Sequence, residues 1–381
     1  MDHNLKVLHL GYRSNAYGGE NMLDRIVAEA PDDVNSQWLI LRGHEAMADR
    51  VIRRGNVAVR ALNLQHPFAE REAEVVEAAI LDFAPDVIQG WATHGNYYSG
   101  LLGGALGIPN VWRLGGARRL HEIKDNELKT VVRESARMSA EVPAAIIGVS
   151  QAAKEAYVDN GYAPDKITVI PNGINTAVFR PNSVVREQLR SALHISLTTT
   201  VLGMAARHHP DKRQADFIES TRLLLNDGVD VHAIMCGEGI DSDNEELMDL
   251  VQRTGHSDKF SLLGLLDNMQ DFYPAVDIHI QPSLTEGQSN ALLEASATGV
   301  LSIVTGAGGS QDIIEGTGRC VPPMQPTALA EACRSIMRQP QAKKEQDRRS
   351  ARQLIIARHA LRTTAASYYK LYRDAIGEQR G

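Results

Sequence analysis

Two glutamates stand out in a stretch that changes from strand to helix. Residues 276–299 read VDIHIQPSLTEGQSNALLEASATG, with a strand predicted to end near Gln281 and a helix from Gln288 to Thr298. Glu286 precedes that helix, and Glu294 lies eight residues later. The N–H groups and positive dipole at a helix N-terminus suit a phosphate, and carboxylates beside it accept hydrogen bonds from hydroxyl groups.

The same stretch has a second interpretation. Glu286 can stabilise the helix dipole, while the spacing of Gly287, Asn290, Glu294 and Thr298 is typical of a solvated helical stripe. The sequence alone leaves both interpretations open, although Gly287 would also let a backbone approach a ligand closely.

Two cations lie on a loop early in the second half of the chain. In GMAARHHPDKRQ, residues 203–214, Arg207 and Lys212 follow a predicted strand and flank Pro210. Arginine binds a phosphate as a fork and lysine as a point charge, so the pair can neutralise a diphosphate. The alternative is an ordinary basic surface loop.

A glycine pair follows the first predicted strand. Gly18 and Gly19 in GYRSNAYGGEN, residues 11–21, precede a helix and form a potential backbone cradle for a phosphate. The GxGxxG pattern is missing here, and GAGGSQD at 306–312 has Gln311 where the last residue of that pattern must be Gly or Ala. A nicotinamide site is therefore a weak interpretation.

Alternating elements must position these residues. In the first half we predict strands at 5–10, 36–43, 86–91, 110–116 and 144–150, and in the second half at 199–206, 230–239, 259–264, 276–283 and 300–306. Helical segments separate them, for example 19–30 and 71–83. This rhythm predicts an α/β fold of two doubly wound parallel sheets, with ligands bound at the carboxyl ends of the strands.

Composition limits the function. The chain has 381 residues, of which 43% are hydrophobic and 23% charged, as is typical of a globular protein of two domains. A net charge of −7 argues against a nucleic-acid binder. Three cysteines without Cys-x-x-Cys spacing argue against a disulfide framework or a cysteine zinc site.

Boundaries and location follow from local composition. Residues 171–183, PNGINTAVFRPNS, have the look of a linker, so we predict a first domain at 1–183 and a second at 184–359. No export signal or run long enough to span a bilayer is visible, which predicts a cytoplasmic protein with the inner membrane face as a peripheral contact.

Taken together, these motifs resemble the retaining GT-B glycosyltransferases of family 4. The resemblance rests on Glu286 with Glu294, Arg207 with Lys212, PNGIN at 171–175, GEG at 237–239 and GG at 308–309. It runs in family order from Gly18-Gly19 through 150–181 to TGRCVPP at 317–323, which is nearly the whole chain. The resemblance implies two Rossmann-like domains facing a cleft, with the final helix, residues 360–381, packed back on the first domain.

The resemblance also implies roles for individual residues. Arg207 and Lys212 would hold a nucleotide diphosphate, Glu294 the ribose hydroxyls and Glu286 hydroxyls of the transferred sugar, while Gly19 would offer its N–H to the phosphates. His94, on the loop predicted after the 86–91 strand, would contact the transferred sugar or the acceptor, or else be a hydrogen-bonded loop histidine. The predicted donor-binding residues are Gly18, Gly19, Arg207, Lys212, Glu286, Gly287, Gln288, Ser289, Asn290 and Glu294, and the predicted catalytic residues are Glu286, His94, Arg207 and Lys212.

The implied reaction moves a hexose or N-acetylhexosamine, with UDP as the preferred carrier, to a glycan or lipid-linked glycan in polysaccharide or lipopolysaccharide synthesis. Family enzymes are thought to react on the front face, with the leaving phosphate taking the acceptor proton, so no enzyme base is required. No acidic Asp-x-Asp metal motif stands at a strand end, since Asp241-x-Asp243 lies in an acidic loop interpreted as solvated surface, and no metal or other cofactor is expected. A GT-B epimerase of nucleotide sugars and a nucleotide-sugar-binding protein without turnover are the alternatives. Asn175 replaces the Asp of the family motif, and we expect it to serve the turn rather than catalysis.

A basic stripe remains outside these roles. Lys129, Arg133 and Arg137 fall on one face of a predicted helix, beside Glu127 and Glu134. This pattern is typical of a solvated face. A second hypothesis is that the stripe guides an anionic lipid-diphosphate acceptor or a membrane surface.

Overall fold

The fold consists of two α/β units, described by a computed structural model for residues 4–13, 18–43, 57–65 and 70–380. The first unit is Met1–Gly173 with Leu361–Gly381, and the second is Ile174–Ala360. Both contain parallel sheets, so the predicted fold of two Rossmann-like domains is confirmed.

The first unit is built on a sheet of seven described strands in the order β3-β2-β1-β4-β5-β6-β7. The strands are β1 (Leu5–Arg13), β2 (Val34–Arg42), β3 (Ala58–Ala61), β4 (Val87–Trp91), β5 (Asn110–Leu114), β6 (Ala145–Gly148) and β7 (Ile167–Val169). The helices described in this unit are α1 (Gly18–Ala28), α2 (Glu70–Phe83), α3 (Ala92–Ala105), α4 (Asn126–Met138), α5 (Gln151–Asp159) and the C-terminal helix α14 (Leu361–Arg380).

The second unit has six described strands in the order β10-β9-β8-β11-β12-β13. They are β8 (Thr200–Ala205), β9 (Val231–Cys236), β10 (Phe260–Leu262), β11 (Ile278–Gln281), β12 (Leu301–Thr305) and β13 (Arg319–Val321). The helices are α6 (Ser183–Ala192), α7 (Gln214–Asn226), α8 (Glu245–Gln252), α9 (Met269–Phe272), α10 (Asn290–Ala297), α11 (Ser310–Ile313), α12 (Pro326–Met337) and α13 (Gln341–Arg358).

Burial explains why both sheets are parallel. The central strands β4, β5, β9 and β12 are buried along their whole length, as expected where helices cover both faces. In the first unit one core side includes Trp38, Ile40 and Trp91, which pack with Tyr368 and Tyr372 of the C-terminal helix α14 (Leu361–Arg380). Helix α14 thus supplies part of the first unit's core, although it follows the second unit in sequence.

The boundary between the units lies earlier than the sequence predicted. Residues 174–182 belong to the second unit, not to a linker, because Phe179 is buried against Tyr273, with ring centroids 6.2 Å apart. Arg352 of α13 also donates to the carbonyl oxygens of Phe179 and Thr176, at 2.8 and 2.9 Å. Asn175 accepts the N–H groups of Ala177 and Val178 at 3.0 and 3.3 Å, the turn role that its side chain predicted.

A partly buried carboxylate fixes α6 on the second sheet. Asp277 precedes β11, and its two oxygens accept from Arg186 at 2.7 Å and from Arg190 at 2.5 Å. Burial opposes the charge of Asp277, but Arg190, the N–H of Val201 and Arg186 together leave its pKa below the ordinary value. Helix α6 therefore belongs to the second unit, as the predicted second domain starting at 184 required.

The hydropathy of the helices bears on membrane insertion. Within the described ranges, none of the helices combines the length and apolar character that a bilayer crossing needs.

Candidate functional site

The predicted anion-binding loops of the second unit follow neighbouring strands. Strands β9, β8, β11 and β12 are adjacent in the sheet and parallel, so their carboxyl ends meet at one edge. The strand order reverses between β8 and β11, and such a reversal opens a crevice that ligands occupy in doubly wound sheets. Residues 206–213 follow β8 and residues 282–289 follow β11 at this point.

Lys212 and Glu286 meet across this edge. The Nζ atom of Lys212 donates to Oε1 of Glu286 at 2.6 Å, and the two side chains are only 23% and 11% exposed. The shielding makes this pair stronger than an ion pair in open solvent, whose net value is about 0–1 kcal/mol. Oε2 of Glu286 has no hydrogen-bond partner within the described ranges, so it remains able to accept a hydroxyl group.

The backbone around Lys212 is held from both sides. The N–H of Leu284 donates to the carbonyl oxygen of Asp211 at 2.8 Å, which ties the β11 loop to the β8 loop. Arg213 has the left-handed conformation, with φ +58°, and its guanidinium makes two hydrogen bonds to Asp216 at 2.8 and 2.7 Å. The third cation of this loop is therefore committed to the start of α7, and Lys212 faces Glu286.

A close backbone approach fixes the Glu286 loop from the β12 side. Gly308 has φ +55°, and a Cβ atom there would lie 1.7 Å from the carbonyl oxygen of Glu286. The neighbouring Gly309 donates its N–H to the carbonyl oxygen of Gly287 at 3.1 Å. Only glycine fits at 308, so the glycine pair of the resemblance serves to bring two loops into contact.

Glu294 lies inside the unit, not on a solvated stripe. Its side chain is 6% exposed, and Oε2 accepts a hydrogen bond from the hydroxyl group of Tyr273 at 2.8 Å. Thr298 is buried as well, so the interpretation of this face as solvated is wrong. Burial raises the pKa of the Cys236 thiol, and the nearby charge of Glu294 raises it further.

Helix α10 starts later than predicted, at Asn290 and not at Gln288. Ser289 is the N-cap, and its hydroxyl oxygen accepts the N–H of Leu292 at 3.3 Å. Glu294 accordingly lies one turn inside α10. The hydroxyl group of Ser289 already serves the helix cap, while donor binding by Gly287, Gln288 and Asn290 stays a prediction.

The structure locates the backbone of two other predicted donor-binding residues, Arg207 and Gly19. Arg207 follows β8, and its carbonyl oxygen accepts from the side chain of Gln214 at 2.8 Å. In the first unit α1 begins at Gly18, with Gly19 in its first turn, while residues 14–17 before it lie outside the described ranges. Phosphate binding by Arg207 and Gly19 stays a prediction.

His94 is not on a loop, because α3 starts directly after β4. The imidazole lies in the first turn of α3, stacks on Tyr12 with centroids 4.3 Å apart, and places Nε2 3.8 Å from a carboxylate oxygen of Glu127. Ala92, at the strand-to-helix junction, has φ +59°, a strained conformation for a residue with a Cβ atom. This junction follows β4 beside β1, where the strand order of the first sheet reverses.

Sequence reasoning missed two residues that position the site. Tyr273 supports Glu294, which lies 21 residues away, and no spacing signal links the two. Asp216 holds Arg213, and the acid at i+3 was the signal that could have identified this pair. The left-handed φ of Ala92 could not be predicted either, because alanine rarely adopts that conformation.

Two family models match this chain. Residues 18–178 match the model described as Glycosyltransferase Family 4, and residues 199–339 match the one described as Glycosyl transferases group 1. One match falls on each half of the chain, and between them they take in most of the sequence.

Curated relatives match parts of the chain. The UDP-Gal:alpha-D-GlcNAc-diphosphoundecaprenol alpha-1,3-galactosyltransferase of Escherichia coli is 29% identical over 169 residues, 42% of this chain and 41% of that protein. The lipopolysaccharide core biosynthesis mannosyltransferase LpsB of Rhizobium meliloti is 28% identical over 177 residues, 45% of this chain and 50% of that protein. The matched regions thus span half or less of these relatives.

Solved structures match almost the whole fold. Anabaena Alr3699/HepE in complex with UDP-glucose aligns with a TM-score of 0.84 at 18% identity, over 97% of this chain and 100% of that chain. The apo form of the lipopolysaccharide outer core galactosyltransferase WaaB aligns with a TM-score of 0.66 at 15% identity, over 98% and 100%. These likenesses show that the fold is GT-B.

Proposed function

We propose that this chain, which belongs to the GT-B glycosyltransferases, transfers a sugar from a nucleotide diphosphate sugar to a glycan or a lipid-linked glycan. The Lys212–Glu286 pair at the β8/β11 edge carries the proposal, because it joins a cation suited to a diphosphate with a carboxylate suited to sugar hydroxyls. The relatives that act on UDP-galactose, on diphosphoundecaprenol-linked sugar and on the lipopolysaccharide core support the substrate classes.

The proposed chemistry retains the configuration of the sugar. The bond between the anomeric carbon and the β-phosphate oxygen breaks, and the acceptor oxygen bonds to that carbon on the same face. The acceptor proton passes to the leaving phosphate oxygen. Negative charge builds on the diphosphate as it leaves, so Lys212, together with Arg207, stabilises the transition state more than the bound donor.

Preorganisation supports the role of Lys212. Its ammonium group is held against Glu286 by loops that are fixed to each other through Leu284 and Asp211. A cation already in place needs no reorganisation as charge develops, which is the main advantage of an electrostatic site. We propose that the two cations do this without a metal ion.

The two glutamates divide the donor between them. Glu286, with Oε2 open to a hydroxyl group, binds the transferred sugar, and the buried Glu294 binds the ribose. Hydrogen bonds from hydroxyl groups to a shielded carboxylate are charge-assisted and strong. UDP is the proposed carrier, in line with the UDP-glucose bound to the solved structure of like fold, and the transferred group is a hexose or N-acetylhexosamine.

The acceptor side rests on the first unit. We place His94, stacked on Tyr12, against the transferred sugar or the acceptor. If His94→Ala keeps full turnover at saturating substrates, this role is wrong. The proposed setting is the cytoplasm, with peripheral contact to the inner membrane face when the acceptor is lipid-linked.

Donor turnover tests the function without knowledge of the acceptor. The protein is incubated with UDP-glucose, UDP-galactose, UDP-N-acetylglucosamine and GDP-mannose, each with and without EDTA, and released nucleotide and the anomer of the free sugar are followed by NMR. We expect slow release of UDP from one UDP-sugar, insensitive to EDTA, with an α-linked donor giving the α-anomer first.

Three results would contradict the proposal. An epimerised sugar nucleotide without transfer would identify an epimerase, tight donor binding without any turnover would identify a binding protein, and loss of turnover in EDTA would overturn metal independence. Lys212→Ala should strongly slow the release while Arg222→Ala, which removes a half-exposed cation paired with Glu219 on α7, should not.

A further inference from the structure

A basic cavity lies on the first unit, between α4, the end of α5 and the segment that follows β5. Its volume is about 330 Å³, and its lining includes Arg119, His121, Lys129, Arg133, Asp159 and Asn160. Two of the three cations of the predicted basic stripe, Lys129 and Arg133, therefore line this open cavity, where Lys129 is partly buried and Arg133 is exposed. Arg137, the third, does not line it and pairs with Glu134 at 2.7 Å.

The wall that faces α4 is built by hydrogen bonds from the end of α5. Asn160 accepts the N–H of Leu120 at 2.6 Å and donates to the carbonyl oxygen of Arg118 at 3.0 Å. Arg119 donates from Nε to Asp159 at 2.8 Å, which holds its guanidinium beside the cavity. The segment at 118–120 is thus fixed before any ligand binds, and Arg119 is positioned.

The two cations on the α4 wall, Lys129 and Arg133, carry like charges close together. Lys129 and Arg133 stand one helical turn apart, a spacing at which like charges repel. Neither forms an ion pair in the part of the chain that the structure describes. The carboxylate of Glu134 pairs with Arg137, and that of Glu127 faces His94 at 3.8 Å.

The charges around the cavity cancel on one wall only. Asp159 pairs with Arg119, and Glu122 and Glu155 also act on that guanidinium, which leaves the positive charges of Lys129 and Arg133 on the α4 wall. The His121 ring adds nitrogen atoms on the wall of Arg119. A cavity of this volume is at the lower end of the range for small-molecule sites, about 300–1,000 Å³. Arginine forks and lysine ammonium groups converging on one space are the chemistry that binds phosphate oxygens.

From this we infer that the cavity binds a phosphate- or diphosphate-bearing molecule, either free in solution or as the head group of a lipid. Lys129 and Arg133 supply the charge, and Arg119 with His121 supplies directed N–H groups from the opposite wall. The site is independent of the donor site proposed for the second unit, since all of its residues belong to the first.

Binding of inorganic pyrophosphate, measured by isothermal titration calorimetry, tests this inference. Because Arg207 and Lys212 would also attract pyrophosphate, the starting protein is the R207A/K212A variant, in which the remaining binding reports the cavity. Adding K129A/R133A should weaken that binding about tenfold or more. The matched control adds K124A/R137A, which removes two exposed cations flanking α4 outside the cavity and should change affinity less than about twofold.

If R207A/K212A fails to fold, the wild type replaces it, and K129A/R133A should remove one of two binding events. Flotation with phosphatidylcholine vesicles, with and without phosphatidic acid, separates the sources. Binding to pyrophosphate alone supports a free ligand, and additional binding to phosphatidic acid vesicles that K129A/R133A abolishes supports a lipid head group. No pyrophosphate or vesicle binding in R207A/K212A, or equal losses in K129A/R133A and K124A/R137A, would overturn the inference, whatever happens to donor turnover.

Discussion

The β8/β11 edge of the second unit and the β1/β4 edge of the first unit occupy the same topological position, because the two sheets share their strand order over six strands. At the β8/β11 edge, a shielded ion pair between Lys212 and Glu286 joins the two loops at 2.6 Å. At the β1/β4 edge, the ring of His94, which closely follows the strained Ala92, stacks on Tyr12 with centroids 4.3 Å apart. One edge is organised by fixed charges and the other by aromatic rings.

Under the proposed function, the two edges suit two kinds of ligand. A diphosphate always brings the same charge, and fixed cations at backbone-locked positions suit it. A sugar or glycan acceptor offers apolar ring faces and hydroxyl groups, for which an aromatic surface is the better complement. Cations on the first unit lie instead at the cavity between α4 and α5, which agrees with a separate anion site.

The largest effect should follow from removing the fixed charge. Lys212→Ala deletes the donor to Glu286 and should lower the rate of donor turnover about 10²–10³-fold, the range seen when one preorganised electrostatic group is lost. Initial rates at saturating UDP-sugar measure this, with Arg222→Ala as the control. A wild-type rate in Lys212→Ala would show that the pair is structural.

The second prediction concerns the backbone contact that holds the Glu286 loop. Gly308→Ala places a Cβ atom against the Glu286 carbonyl oxygen and should destabilise the second unit by more than about 2 kcal/mol. Gly316→Ala is the matched control, since its φ is +70° but nothing lies within 4 Å of the added atom. It should cost only about 1 kcal/mol in urea unfolding. Equal losses of stability in Gly308→Ala and Gly316→Ala would mean that the two loops can move apart to accommodate the added Cβ atom.

The third prediction separates donor binding from stability. Tyr273→Phe removes the hydrogen bond to Glu294 and should weaken UDP binding about tenfold, because the carboxylate loses the group that orients it. Tyr369→Phe removes a buried hydroxyl group that donates to the Ile26 carbonyl oxygen in the first unit. Titration calorimetry should find UDP affinity unchanged in this control, and a similar loss in both variants would contradict a positioning role for Tyr273.

The smallest effect concerns the β1/β4 edge. Ala92→Gly relieves the positive φ and should stabilise the first unit by up to about 1 kcal/mol, partly offset by the greater backbone entropy of glycine. Thermal unfolding measures this. Lower stability would show that Ala92 is not strained there.

The strands of both sheets could largely be predicted from the sequence, but three could not. Strands β3, β7 and β13 are short edge strands in which most side chains are at least partly exposed, so they lack the apolar run that identifies central strands. The predicted linker at 171–183 does not coincide with the boundary between the units, because Asn175 forms a turn that packs on the second unit, as the contacts of Phe179 show.

For the candidate site, residue types and order indicated Lys212, Glu286 and Glu294 but not their surroundings. Lys212 can pair with Glu286 because β8 and β11 are neighbours in the sheet, although they are far apart in the sequence. A single sequence does not show which strands are neighbours. The burial of Glu294 and its contact with Tyr273 likewise depend on tertiary packing, and so does the difference between Arg133 in a cavity and Arg137 outside it.

Thermal unfolding with UDP, GDP and ADP tests most directly whether the β8/β11 edge is a nucleotide-sugar site. At about 100 times its dissociation constant a ligand adds roughly 2.7 kcal/mol, enough to raise Tm by several degrees. The account predicts that UDP gives this shift in the wild type and in the exposed control Glu331→Ala, and that Glu294→Ala abolishes it. A Glu294→Ala protein that responds to UDP like the wild type, or a wild type that responds to none of the three nucleotides at millimolar concentration, would contradict it.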